Sequence, residues 1–279
     1  MIKVSILTEN TVYKRGFLGE HGLSLLIETK GKRYLFDTGQ SRVFLHNADM
    51  LHLPLENLDG IILSHGHYDH CGGMGYVQCL GTKVPVYVQQ KAFEKKYTEN
   101  PQTGELRYIG MEDASEWKKS QQLNLLSESC TQISEGFYLL SDITYTTEFE
   151  PNSGGFWREV CKEQGPELMA DTMEDEQILV VESSKGLCVF AGCAHPGIIN
   201  CLHYAQSAFP GKHIHSLIAG MHLKGSGRQR IIQTVQALQN LDIDKVIPLH
   251  CTGIRAIGMI KEALGERCIL AEAGKQIEI

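Results

Sequence analysis

Apolar runs of strand length open the chain at 2–7 and 23–28, and Gly16, Gly19 and Gly22 punctuate the loop between them. Lys30-Gly31-Lys32 reads as a hairpin turn. Tyr34-Leu35-Phe36 reads as the next strand, ending at Asp37-Thr38-Gly39. Over 41–51, Val43, Phe44, Ala48 and Leu51 stand among polar residues and predict a short helix. Residues 55–58 lead into Ile61-Ile62-Leu63, the end of a buried strand by its β-branched bias. Gly72, Gly73 and Gly75 predict a tight backbone, followed by a short helix at about 74–80. Val84-Pro85-Val86-Tyr87-Val88 reads as a strand whose proline suits a sheet edge.

The pattern weakens from about 89 to 170. Residues 91–97 read as a helix, 100–104 as a turn and 123–149 as short strands, of which Phe137-Tyr138-Leu139-Leu140 is the clearest. Pro151, Gly154-Gly155, Gly165-Pro166 and several acids give 150–175 the composition of a mobile loop or lid. Phe156, Trp157 and Arg158 within it either line a substrate pocket or pack the lid. Order returns with strands at 177–182 and 187–191, a helix at 198–208, a strand at 216–219 and a helix at 228–241. A strand at 245–249, a helix at 253–264 and a strand at 268–271 close the chain.

Composition narrows the class. With 42% hydrophobic and 21% charged residues the chain is an ordinary globular protein. The net charge is 26 − 33 = −7, with no basic stripe, which argues against a nucleic-acid partner. No run approaches the roughly eighteen apolar residues of a membrane span, and the first seven residues are too short for a secretory segment. Nine scattered cysteines, an odd number, point to a reducing cytoplasm. Cys79, Cys188 and Cys268 read as small buried hydrophobes; Cys193 is the possible exception.

The chemistry gathers behind Leu63, in Ser64-His65-Gly66-His67-Tyr68-Asp69-His70. Imidazole and carboxylate are ligands that zinc, iron(II) and manganese accept. In an extended backbone His65 and His67 point the same way, while Asp69 and His70 can face a second point nearby. Two ligands for each of two ions is the simplest reading. The bland alternative is a surface turn with incidental histidines, but histidine is scarce, at 12 of 279 residues. Four apolar strands end in a histidine-bearing turn, at His65/His67, His195, His222 and His250. Strands of one sheet ending on the same side bring such residues together.

His65-Gly66-His67-Tyr68-Asp69-His70 resembles the His-x-His-x-Asp-His signature of the metallo-β-lactamase superfamily. Glu20-His21-Gly22-Leu23, Phe36-Asp37-Thr38-Gly39, Gly192-Cys193-Ala194-His195-Pro196-Gly197 and Pro248-Leu249-His250-Cys251-Thr252-Gly253 resemble one branch of it. That branch of metal-dependent hydrolases includes the dihydropterin ribofuranosylaminobenzene phosphate synthases. The resemblance implies an α/β fold of αββα four-layer sandwich type, read as one domain over 1–279 with a lid or insertion within about 89–175. It also implies His65 and His67 at a first metal, Asp69 and His70 at a second completed by His250, and Asp37 bracing the metal loop without binding an ion. The third histidine of the first site is missing from its usual place, since no histidine lies between His70 and His195. His195 is the best substitute; Asp171, Asp175 or Glu176 are the alternatives. Cys193 either touches the second metal or is a structural thiol. His222 is a ligand, a substrate contact or a packing residue, and His21 an active-site residue or a loop histidine bonded to backbone. His46, His52, His203, His213 and His215 read as surface residues.

The implied activity is a hydrolase with two divalent transition-metal ions, zinc first and iron or manganese next. Its water would attack a phosphoester, lactone or similar small substrate, with Asp69 orienting the nucleophile or shuttling its proton. The branch adds group transfer on a phosphorylated pterin or ribose compound. A di-iron redox protein is a further class, although those relatives carry more carboxylates and a flavin domain; a non-catalytic sensor would tend to lose these ligands.

Overall fold

A computed structural model describes residues 1–80, 83–112, 115–150, 154–162 and 165–279. Two sheets lie face to face. The first holds seven strands in the spatial order Gln276–Glu278, Lys3–Thr8, Ser24–Thr29, Lys32–Phe36, Gly60–Ile62, Pro85–Gln89 and Gln122–Leu126. The second holds six, in the order Ile243–Leu249, Ile214–Gly220, Gly186–Ala191, Ile178–Ser183, Phe137–Leu140 and Cys130–Ser134.

The period-two alternation of strand side chains sorts the core into layers. In Gly186–Ala191, Leu187, Val189 and Ala191 pack against the helices Ile198–Ala208, Arg228–Asn240 and Ile254–Leu264. Cys188 and Phe190, between them in sequence, point to the other sheet. In Lys32–Phe36, Tyr34 and Phe36 meet Phe137 and Phe190 across the sandwich, with ring centroids 4.9 and 6.4 Å apart. Leu35 points the opposite way, onto Phe44 and Ala48 of the helix Val43–Met50. The order is therefore helix, sheet, sheet, helix, the αββα sandwich expected. Near-continuous apolar runs at 178–181 and 187–191 follow from strands covered on both faces. Among the described residues no helix is long and apolar enough to cross a membrane.

A separate four-stranded antiparallel sheet, in the order Gly165–Ala170, Phe156–Lys162, Lys96–Glu99 and Leu106–Tyr108, rises beside the sandwich. It overturns two expectations. Residues 91–97 are not a helix: one 3₁₀ turn, Gln90–Phe93, gives way to a strand. The loop expected over 150–175 is a hairpin for most of its described length, and Pro151 lies outside the described residues. Pro85 is not at a sheet edge, because Pro85–Gln89 has a neighbour on both sides; as the first residue of its strand it forfeits no interior ladder bond. Residues 268–271 make only one bridge, Val246 to Cys268, and the closing strand is Gln276–Glu278. Cys79 is exposed rather than buried. His215 is no surface residue but lies buried in Ile214–Gly220, its Nδ1 2.6 Å from Asp244 Oδ2.

The strands Gly186–Ala191, Ile214–Gly220 and Ile243–Leu249 are parallel and end on one side of their sheet. Just beyond those ends Ala194, His222 and His250 take left-handed backbone, with φ of 51°, 44° and 50°, and Asp37 does so beyond Lys32–Phe36 at φ 57°. Such conformations cost non-glycine residues on the order of 1–2 kcal/mol each, and their gathering at one edge marks the site.

Candidate metal centre

The turn after Gly60–Ile62 sends its side chains into the cleft between the sheet edges. His65 and His67 lie buried with His65 Nε2 3.0 Å from His67 Nδ1. Gly66 between them is packed so tightly that a Cβ there would collide with the Ala92 carbonyl. His195, from the turn after Gly186–Ala191, brings its ring centroid to 5.0 and 4.9 Å from those of His65 and His67. One ligand atom from each of these three histidines falls within 4.8 Å of the others.

A second group adjoins the first. His70 Nε2 lies 3.2 Å from His250 Nε2 and 3.9 Å from Asp69 Oδ2, and His250 Nε2 lies 3.3 Å from the same Asp69 oxygen. Cys193 Sγ stands 3.1 Å from His70 Nε2. His21 reaches in from the loop after the first strand, with Nε2 3.2 Å from Asp69 Oδ2. His222 places its ring centroid 4.3 Å from that of His195. His21, His65, His67, Asp69, His70, Cys193, His195, His222 and His250 thus meet at one edge of the sandwich, whereas Trp157 and Arg158 turn to Glu99 and Glu94, each at 2.9 Å, and line no part of the pocket.

The fit to a metal ion can be judged from the donors. Both nitrogens of His195, Nε2 of His67 and Nδ1 of His222 are buried with no hydrogen-bond partner among the described residues. Leaving a buried polar atom unpaired costs about 1–3 kcal/mol, and a cation at their convergence removes that cost. Burial drives the His65 and His195 imidazoles well below their ordinary pKa and lowers His67 to about 4, so all three are neutral donors near pH 7. The residues present fit a divalent transition metal.

Asp37 stands behind this cluster. It accepts the Ser64 amide and hydroxyl and the His70 Nδ1–H, each at 2.7 Å. Burial alone would lower the His70 pKa, but the Asp37 and Asp69 carboxylates hold its proton, up to about 9. Burial would likewise raise Asp69, but the neighbouring His70 and His250 keep its carboxyl well below the usual range. These directions describe the pair before an ion displaces the shared protons.

The acids offered as alternatives to His195 have other partners. Lys96, buried, donates to Asp171 Oδ2 at 2.7 Å and Asp175 Oδ1 at 2.9 Å, and Asp175 Oδ2 accepts the Gly66 amide at 2.8 Å. Glu176 accepts the amides of Ala194 and His195 at 2.8 and 3.4 Å, bracing the turn that presents His195. Sequence reasoning missed Lys96, hidden in a segment read as helix. It also missed Asn10, whose Oδ1 lies 2.8 Å from His250 Nδ1 across 240 residues of chain; no local pattern signals that pairing. Phe156 proves to be a pocket wall, its ring stacked 5.7 Å from His67. The pocket over the centre holds about 250 Å³ and is also lined by Arg107 and Lys224.

Comparison with known proteins agrees with this geometry. A family model described as "Metallo-beta-lactamase superfamily" matches residues 19–133. The chain is 30% identical over 291 residues to the 7,8-dihydropterin-6-methyl-4-(beta-D-ribofuranosyl)-aminobenzene-5'-phosphate synthase of Methanocaldococcus jannaschii, covering 99% of this chain and 96% of that one. The crystal structure of Tm1679, a metal-dependent hydrolase of the beta-lactamase superfamily, superposes with a TM-score of 0.86 at 32% identity over 100% of this chain and 99% of the other. The metallo-beta-lactamase fold protein YhfI of Bacillus subtilis, at 15% identity and TM-score 0.58 over the whole of both chains, shares the fold. With its layers, its histidine-bearing strand ends and this full-length similarity, the chain belongs to the metallo-β-lactamase superfamily.

Proposed function

We propose that the chain is a metal-dependent hydrolase acting on a small phosphorylated substrate at a two-metal site, within one domain that carries the four-stranded sheet as an insertion. In this reading His65, His67 and His195 hold one divalent ion, zinc in the first instance. Asp69, His70 and His250 hold the second, with Cys193 beside it. His195 is the observation that carries the reading, because both its nitrogens are buried beside neutral imidazoles and find no partner among the described residues.

Two ions there would supply Lewis-acid polarisation of the substrate oxygen and a water acidic enough to attack near neutral pH. The chain's own residues do the rest. Asp69, facing His21, His70 and His250, orients the attacking water or relays its proton. Arg107 and Lys224, both lining the pocket, receive the phosphate. Phe156 closes one wall and keeps bulk water from the imidazoles.

The test is a panel of phosphoesters and lactones assayed on protein loaded with zinc, manganese or iron. Turnover that tracks metal content is expected. Full metal loading with no hydrolysis of any member would overturn the reading. A second reading, group transfer on a phosphorylated pterin or ribose compound, is favoured by the full-length similarity to the M. jannaschii synthase. An aromatic amine acceptor added to the same panel separates the two, since only a transferase forms the coupled product.

A further inference from the structure

The metal pocket is not the larger concavity on this face. A neighbouring cavity of about 790 Å³ lies between the loop after the first strand, the turn after Ile214–Gly220 and the helix Ile254–Leu264. Small-molecule sites typically enclose roughly 300–1,000 Å³; the pocket over the histidines, at about 250 Å³, falls short of that range. The two spaces adjoin. Lys224 lines both. The Asn10 side chain, which holds His250 Nδ1 at 2.8 Å, forms part of the larger cavity's wall.

The charged groups of the cavity are not equally available. Glu9 is engaged by the His250 amide and by Thr11, and Glu272 faces Lys275 at 4.0 Å. Lys261 is turned to the carbonyls of Gly265 and Cys268. Lys224 and Arg255, by contrast, make no ion pair and no side-chain hydrogen bond with any described residue. The apolar side chains are equally unspent: Ile254 is 82% and Tyr13 80% exposed, both on the cavity lining. Two unpaired cations beside an exposed ring and an exposed branched aliphatic chain make a site for a molecule with both characters.

We propose that this cavity binds acidic, ring-bearing small molecules, with Lys224 and Arg255 on the anionic group and Tyr13 and Ile254 along the ring. The hydrolytic reading enters only through Lys224, which would let a ligand seated here extend its charged end toward the histidines. Binding itself needs neither metal nor turnover, so failure of the hydrolytic reading leaves the test intact.

The probe is 8-anilinonaphthalene-1-sulfonate, whose ring and sulfonate match the two halves of the site and whose fluorescence reports transfer out of water. Saturable binding at one site per chain is expected, with or without zinc. Gly258 lies on the cavity wall, and a Cβ built there meets no heavy atom within 4 Å. Gly258→Phe therefore fills the cavity without colliding with the helix and should weaken the probe at least about tenfold, as should loss of a charge-assisted contact in Arg255→Glu. Arg255→Lys should restore most of the affinity, and Phe156→Ala, in the metal pocket, should leave it unchanged. Arg255 is exposed, so its variants do not threaten folding, and a cooperative melt checks Gly258→Phe. Absence of saturable binding, indifference to both Gly258→Phe and Arg255→Glu, or sensitivity to Phe156→Ala in their place would overturn the proposal.

Discussion

His70 Nδ1 lies 2.7 Å from Asp37 Oδ2, and neither side chain reaches solvent. The pair fixes the imidazole so that Nε2 faces His250 and Cys193 at 3.2 and 3.1 Å. A carboxylate bonded to one ring nitrogen orients the ring and strengthens the other nitrogen as a donor. Asp37→Asn keeps the shape but removes that charge. Metal affinity at the second position should fall by about 10–100-fold, read by competition with a fluorescent chelator. Unchanged affinity would detach Asp37 from the centre.

The proposed role of His195 predicts a specific coupling between metal and stability. An ion that binds only the folded chain stabilises it by about 2.7 kcal/mol at a hundred times its dissociation constant. Zinc should therefore raise the melting temperature of the unaltered protein, and a chelator should reverse the gain. In His195→Ala the bound stoichiometry should drop and much of the gain should vanish, while the metal-free melt stays cooperative. Full stoichiometry and an undiminished gain would remove His195 from the first site.

Asp69→Asn separates catalysis from metal storage. Asparagine keeps one coordinating oxygen but is no proton acceptor, so turnover should fall by roughly 10²-fold or more. The first site should stay loaded, because His65, His67 and His195 are intact. Unchanged turnover in a variant with verified metal content contradicts the hydrolytic mechanism.

Lys96 joins the four-stranded sheet to the metal loop through Asp175 and the Gly66 amide. Lys96→Met leaves two buried carboxylates without their cation, a change that typically costs 3–5 kcal/mol. The sign of the pH dependence follows from Asp175. Burial would raise its pKa, but the Lys96 charge prevails and lowers it. Its stabilisation is thus present above the unfolded value of about 3.9 and is lost as pH falls through the lower folded value. The melting difference between the variant and the unaltered protein should be largest near pH 7 and should narrow below about pH 4. A difference that stays constant over that range rules out the ion pair as its origin.

The sandwich was readable because the stretches 178–181 and 187–191 are buried on both faces and carry unbroken apolar runs. The histidine turn was readable because its donors are neighbours in sequence. The small sheet was not. Phe156–Lys162 is half-buried along most of its length and is held by pairing with strands on either side, one of them some sixty residues earlier in the chain. The apolar run at 268–271 misled for the opposite reason: Cys268 is packed against the core while the backbone makes a single bridge. Lys96 could not be found by pattern at all, since a lysine in a strand looks solvated until its partners at 171 and 175 are known.

The proposed second site draws His70 and His250 from points 180 residues apart in the chain. A ribosome-bound chain therefore exposes the cluster of His65, His67, Asp69 and His70 long before His195 or His250 has been made. Any ion the early cluster met would, in the proposed two-metal reading, face an incomplete set of donors. In that reading the donors of the second ion are complete only once the last parallel strand, Ile243–Leu249, docks and carries His250 into place. The centre would then take the ion available to the nearly finished protein, not the one first encountered during synthesis.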